Sequence, residues 1–268
     1  MSSGKHTTTA PSDRRAFGRW QTPARKVLAP VFNRAWKVKV NGAEHIPEDG
    51  PAILCANHNA FIDSFFIPLA VGRRVTFVGK AEYLDDWKTR TLLPNLGMVP
   101  IDRRGGAAAT RALDTAAEVL DAGELFAIYP EGTRSRTGEL HKGRTGAARL
   151  ALRTGAPIIP VGLRGTREIQ PPDRAVPAIG KRVEVHIGAP ISVGHLGERA
   201  GRQPVLRQIT DAVMGEIQAL SGQDYVHAYA NGRRTAPASA SAVEPAAVPG
   251  VESVSGSASA DRRELALV

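Results

Sequence analysis

The chain has 268 residues, 42% hydrophobic and 23% charged, a composition that can bury a core and excludes global disorder. Its single cysteine, Cys55, excludes a disulfide scaffold and a cysteine-based zinc site. The formal charge of +9 is concentrated: residues 1–40 carry nine Lys/Arg against Asp13 alone, a net +8, and the rest of the chain sums to +1. A basic arm on a near-neutral body seeks anions, either nucleic acid or acidic lipid head groups, and charge alone does not choose between them.

Residues 1–13 read as a disordered N-terminus, without the apolar stretch of a signal peptide. In residues 14–36, Phe17, Trp20, Ala24, Val27, Val31 and Ala35 recur at helical spacing, and Leu28, Phe32 and Trp36 widen that stripe. Pro23 and Pro30 are expected to split the segment into short helices. Tryptophans beside cations suit an amphipathic segment lying in a membrane interface; a helix packed on the domain with a solvated basic face fits equally well.

Beyond this segment, β-rich runs at Val38–Val40, Ala52–Ala56, Val75–Val78, Met98–Ile101, Leu125–Tyr129, Ile158–Leu163 and Val183–Ile187 alternate with helix-compatible stretches. Those stretches fall at 61–71, 82–92, 107–121, 144–154 and 203–220. Leu113, Ala116, Ala117 and Leu120 give the third of them its period, with Gly123 as a stop. The alternation predicts an α/β domain over 37–222, a mostly parallel central sheet flanked by helices, preceded by the N-terminal amphipathic helical segment. Residues 223–268 read as a linker and a disordered Ala/Ser/Pro-rich tail. No run of 18 or more apolar, uncharged residues occurs.

Two stretches can carry chemistry. His58 and Asp63 end a β-rich run and open a helical one. Five residues along one helix is about 140° of rotation, so only a turn between strand and helix brings them together. A carboxylate on one imidazole nitrogen fixes the tautomer and prepares the other nitrogen to take a proton from a hydroxyl. The spacing alone is weak, because composition predicts about 0.3 such pairs by chance. Tyr129-Pro130-Glu131-Gly132-Thr133-Arg134-Ser135 is more specific: Glu-Gly-Thr-Arg has a chance expectation of about 0.008. A turning glycine, backbone N–H groups, a threonine and an arginine fork suit a phosphate. Lys80 and Arg103 also follow β-rich runs, where α/β sheets gather ligands. No metal site and no G-x-S-x-G nucleophile elbow stands out, and His45, His141, His186 and His195 are scattered.

These blocks resemble the 1-acylglycerol-3-phosphate acyltransferase family of glycerolipid acyltransferases. Asn57-His58-x4-Asp63, Gly97-Met98-Val99-Pro100-Ile101-Asp102-Arg103, the Tyr129–Ser135 block and Ile158-Ile159-Pro160-Val161 occur in the family's order, within about residues 38–220. Tyr129 stands where phenylalanine is usual and Pro100 where an aromatic residue is frequent. The resemblance implies an O-acyltransferase that makes phosphatidic acid from lysophosphatidic acid, with acyl-CoA or acyl carrier protein as donor and no cofactor. It implies His58 as general base oriented by Asp63, Arg103, Arg134 and Lys80 on the acceptor phosphate, and Glu131, Gly132 and Thr133 shaping that loop and the glycerol site. It also favours the interfacial reading of 14–36, a peripheral or monotopic enzyme on an anionic membrane surface at the cytoplasmic side. A sibling acting on another lysolipid, such as a lysophospholipid or lyso-ornithine lipid, and a non-catalytic lipid-binding protein are the alternatives. The near-neutral body offers no extended basic groove for nucleic acid.

Overall fold

The computed structural model describes residues 20–80, 87–101, 108–193 and 203–230. Seven strands form the central sheet: β1 (Val38–Asn41), β2 (Ala52–Ala56), β3 (Val75–Lys80), β4 (Met98–Ile101), β5 (Leu125–Ile128), β7 (Ile158–Arg164) and β8 (Val183–Ile187). Their order is β1-β8-β7-β2-β5-β3-β4. The block from β7 to β4 is parallel throughout; β8 runs antiparallel to β7 and parallel to β1. The sheet is therefore mostly parallel, as the alternation of the sequence predicts.

β2 shows why its sequence is an unbroken apolar run. All five residues are buried, because both faces of this central strand are covered. Alternation sends Leu54 and Ala56 to one face, with Phe66 and Ile67 of α2 (Asp63–Ala70), and Ile53 and Cys55 to the other. That second face receives Leu120 of α4 (Ala108–Asp121), Leu150 of α5 (Gly146–Thr154) and Val213, Met214 and Ile217 of α7 (Gln203–Ser221). α3 (Trp87–Asn95) links β3 to β4, and a short α6 (Thr166–Ile169) follows β7. Residues 82–86 of the expected second helix lie outside the described residues.

Two expectations are corrected. The prolines do not split the N-terminal segment: α1 (Gln21–Trp36) is one helix. Pro23 falls in the first turn, where the missing N–H has no intrahelical partner to lose. Pro30 removes one interior hydrogen bond, and tertiary contacts offset that loss. Phe32, Trp36 and Phe66 form an edge-to-face cluster with centroids 4.8, 5.3 and 5.8 Å apart. The Trp36 indole N–H donates to the Ala178 carbonyl at 2.6 Å. At the other end the Gln21 amide donates to the Val75 and Leu96 carbonyls and accepts from the Val75 N–H. Residues 14–19, with Phe17, lie outside the described residues.

The second correction concerns 223–230, read as linker. There β9 (Tyr225–Val226) pairs in parallel with β6 (Leu140–His141). Two-residue strands carry no period that hydropathy can detect.

The chain order places the site. β5 is inserted between β2 and β3, and β7 is then laid on the other side of β2. Connections leave this point in opposite directions, and a crevice opens beyond the carboxyl ends of β2 and β5.

Candidate active site

His58 lies two residues beyond β2, and Asp63 is the first residue of α2. The intervening turn folds the carboxylate back onto the chain before it. Asp63 Oδ2 accepts three hydrogen bonds, from His58 Nδ1 at 3.0 Å and from the Asn59 and Ala60 N–H groups at 2.8 Å each. Asp63 is fully buried, and the His58 side chain is 16% exposed. A carboxylate is an acceptor, so His58 carries its proton on Nδ1 and its lone pair on Nε2. The five-residue spacing that a continuous helix would splay is closed by this turn.

The loop after β5 holds the histidine from the other side. Tyr129 stacks on the imidazole, with centroids 3.8 Å apart and planes at 11°. Its hydroxyl pairs with Ser64 Oγ at 3.1 Å, a bond that phenylalanine at this position would lack. Burial and then the charge of Asp63 raise the phenol far above its ordinary range, so it stays protonated. Ser135 N–H donates to the His58 carbonyl at 2.7 Å.

Glu131 is 1% exposed and does not line the cavity beside His58. Its Oε1 accepts from the His58 N–H and its Oε2 from the His141 N–H, each at 3.0 Å. The residue expected at the substrate thus ties two backbone segments together. Burial pushes its pKa up to about 7 against the opposing pull of those two N–H donors. A raised carboxyl favours the protonated fold. Its contribution to stability is fully present below the ordinary carboxyl range and is lost as pH rises through about 7. Urea unfolding between pH 5 and 8.5 is expected to show the wild type losing stability relative to Glu131→Gln across that window. A difference independent of pH would refute this.

Beyond the dyad lies a cavity of about 800 Å³. Phe61, Phe65, Phe77, Leu93, Met98 and Leu113 make its apolar part. Gly132, Thr133 and Arg134 line it, joined by Arg144 and Arg149, which sequence reasoning missed. Gly132 has φ 76°, and a Cβ there would meet Arg144 Nε at 3.0 Å. Arg144 lies over the Tyr229 ring at 5.2 Å. Arg144 and Arg149 sit at the start of α5, where cations oppose the helix dipole; that mismatch is the signal the sequence offers. The Lys80 backbone ends β3 beside the cavity-lining Gly79, while Arg103 lies outside the described residues.

A family model described as acyltransferase matches residues 37–164. The chloroplastic 1-acyl-sn-glycerol-3-phosphate acyltransferase of Arabidopsis thaliana is 31% identical over 137 residues, 51% of this chain and 38% of that protein. The 1-acyl-sn-glycerol-3-phosphate acyltransferase of Borreliella burgdorferi is 31% identical over 130 residues, 48% of this chain and 52% of that one. The matched stretch thus spans about half or less of each relative's length. The crystal structure of PlsC, the 1-acyl-sn-glycerophosphate acyltransferase of Thermotoga maritima, superposes with a TM-score of 0.56 at 27% identity, over 75% of this chain and 82% of that one. Over residues 37–164 the chain thus resembles acyltransferases, among them 1-acyl-sn-glycerol-3-phosphate acyltransferases, and it shares its overall fold with one of them.

Proposed function

We propose that the chain is an O-acyltransferase that moves a fatty acyl group from an acyl thioester, acyl-CoA or acyl carrier protein, to the free hydroxyl of 1-acylglycerol-3-phosphate, giving phosphatidic acid. The observation that carries this reading is the His58–Asp63 pair at one cavity with an apolar part and an arginine-bearing part. The apolar part suits an acyl chain. Arg134, Arg144 and Arg149 suit the acceptor phosphate and the anionic donor.

The chemistry needs one base and two bound substrates. His58 Nε2 takes the hydroxyl proton as the oxygen attacks the thioester carbonyl carbon. The tetrahedral intermediate collapses, the C–S bond breaks, and the imidazolium returns the proton to the departing thiolate. Asp63 stabilises the transient imidazolium, and holding both substrates in one cavity supplies the proximity that the bimolecular step lacks in water. The test is acyl transfer from both donor types to a panel of lysolipids. Lysophosphatidate is expected to be the best acceptor by at least about tenfold, the scale on which one charge-assisted phosphate contact discriminates. Faster transfer to a lysolipid without a terminal phosphate assigns the chain to a sibling activity, and no transfer at all refutes catalysis.

We further propose that α1 docks the protein on an anionic bilayer. Among the described residues no helix is long and apolar enough to cross a membrane. One face of α1 is packed through Ala29, Phe32 and Trp36, yet Trp20, Val27 and Val31 are exposed beside Lys26 and Arg34. The loop bearing exposed Val176 and Ile179 joins the helix end, through a Gly180 N–H to Ala35 carbonyl bond of 2.6 Å. Apolar side chains ringed by cations fit an anionic lipid interface. The double variant Val27→Glu/Val31→Glu is expected to sediment with anionic phosphatidylglycerol vesicles about tenfold less than the wild type. Equal sedimentation would remove this face from docking.

A further inference from the structure

The segment after α7 lies outside the 37–164 stretch that the acyltransferase model matches. Gly222, at φ 68°, ends the helix and turns the chain back across the site. The Asp224 and Ala228 carbonyls then accept from Leu140 and Lys142 N–H at 2.8 and 3.0 Å, on either side of the β6–β9 pairing. Tyr229 lies under Arg144.

At the start of this strap, one side chain reaches both neighbours of the histidine. Gln223 Oε1 accepts from Asn57 Nδ2 at 2.7 Å. Gln223 Nε2 donates to Asn59 Oδ1 at 3.0 Å and to the Gly138 carbonyl at 2.6 Å. Asn57 is locked further by a two-way pairing with the Leu163 backbone, at 2.9 and 2.7 Å. Asn57 and Asn59 are buried, so these bonds form away from water, where losing a partner leaves a polar group uncompensated. The histidine between them has a backbone fixed by Glu131 and Ser135 and flanks fixed by Gln223.

We propose that Gln223 is a positioning residue for the acyl-transfer reaction: by clamping Asn57 and Asn59 and joining them to the Gly138 loop, it sets where the His58 imidazole meets the acceptor hydroxyl. The strap 222–230 is then a working part of the site, although the motif blocks of the sequence all lie before it. This inference rests on the acyltransferase reading for its kinetic readout but not for its structural one.

The variants are Gln223→Met, which keeps length and volume and removes every side-chain hydrogen bond, and Gln223→Glu, which keeps the acceptor for Asn57 but turns a carboxylate toward Asn59 Oδ1 and the Gly138 carbonyl. In the full chain, each is expected to lower kcat about 10- to 100-fold with the lysophosphatidate KM within about twofold, the signature of a misplaced reacting group. The Nδ1–H proton resonance of His58, assigned by its absence in His58→Gln, is expected to shift or broaden in both. If Gln223 only supports the fold, the unfolding midpoint falls while kcat of the folded protein and the His58 resonance stay at wild-type values, and the proposal is overturned. If the wild type transfers no acyl group yet the resonance still moves, the function reading fails and the positioning role stands. If one variant does not fold, the other carries the comparison.

Discussion

His58→Ala is expected to lower acyl transfer by about 10²- to 10⁴-fold, the contribution of a positioned general base. The fold should survive the change, for a reason visible in the bonding. What the structure takes from His58 is its backbone: the N–H goes to Glu131 and the carbonyl receives Ser135, and alanine supplies both. The imidazole itself reaches Asp63 and stacks on Tyr129 at the cavity wall. Its loss therefore removes the lone pair that accepts the hydroxyl proton and one ring contact. Radiolabelled acyl transfer to lysophosphatidate, read beside a urea unfolding curve, tests both halves. Wild-type turnover would take the base role from His58, and a collapsed unfolding midpoint would show that its side chain holds the turn.

How much of this was legible in the sequence follows from what each feature depends on. The strands were legible because a parallel sheet covered on both faces needs uninterrupted apolar runs, as in Ala52–Ala56. Their order was not, since β5 inserts between β2 and β3 through contacts that leave no local trace. The His58–Asp63 spacing had little weight until a turn closed it, because the geometry lives in the Asn59 and Ala60 N–H groups, which every residue possesses. Glu131 was legible as part of the motif, but not its partners: its buried side chain serves two backbone N–H groups, which leave no trace in the sequence. Arg144 and Arg149 resembled ordinary surface cations until β5 and α5 brought them to one cavity. The strap escaped notice because, apart from Tyr225 packed on the core, hydrogen bonds hold it, and hydropathy reads only burial.

The N-terminal segment posed two readings that the helix divides between its faces. Ala29 and Trp36 are core residues, so α1 is anchored to the domain. Val27 and Val31, one turn apart on the opposite side, are 68% and 56% exposed. An apolar outer stripe costs solubility unless something covers it, and the +8 carried by residues 1–40 favours an anionic cover. The smaller cleft lined by Leu28 of α1, Leu69 of α2 and Leu96 shares Phe65, Phe77 and Leu93 with the main cavity. If α1 docks as proposed, it stands beside the apolar side of the proposed acyl site, where a bilayer-held acceptor would enter.

Asp63→Asn isolates charge from shape, and it is expected to lower kcat by about 10²- to 10⁴-fold, the range over which a base loses its orienting anion. The carboxylate collects three donors on Oδ2, while Oδ1 is buried with no hydrogen-bond partner among the described residues. An asparagine has two ways to fill this space. With its oxygen at Oδ2, the turn and the His58 tautomer persist, but the NH₂ is buried without an acceptor and the imidazolium formed during transfer faces a neutral group. With the amide flipped, NH₂ confronts the Asn59 and Ala60 N–H groups, and the histidine loses its acceptor. Either arrangement leaves a buried donor unpaired, at a cost of about 1–3 kcal/mol, partly offset because the buried carboxylate no longer has to be desolvated. Turnover should therefore fall far more than stability. The double variant with His58→Ala should be no slower than His58→Ala alone, because Asp63 acts through the imidazole. A further tenfold loss in the double variant would mean that the carboxylate reaches the substrate by another route, and full turnover in Asp63→Asn would mean that the imidazole needs no anion behind it.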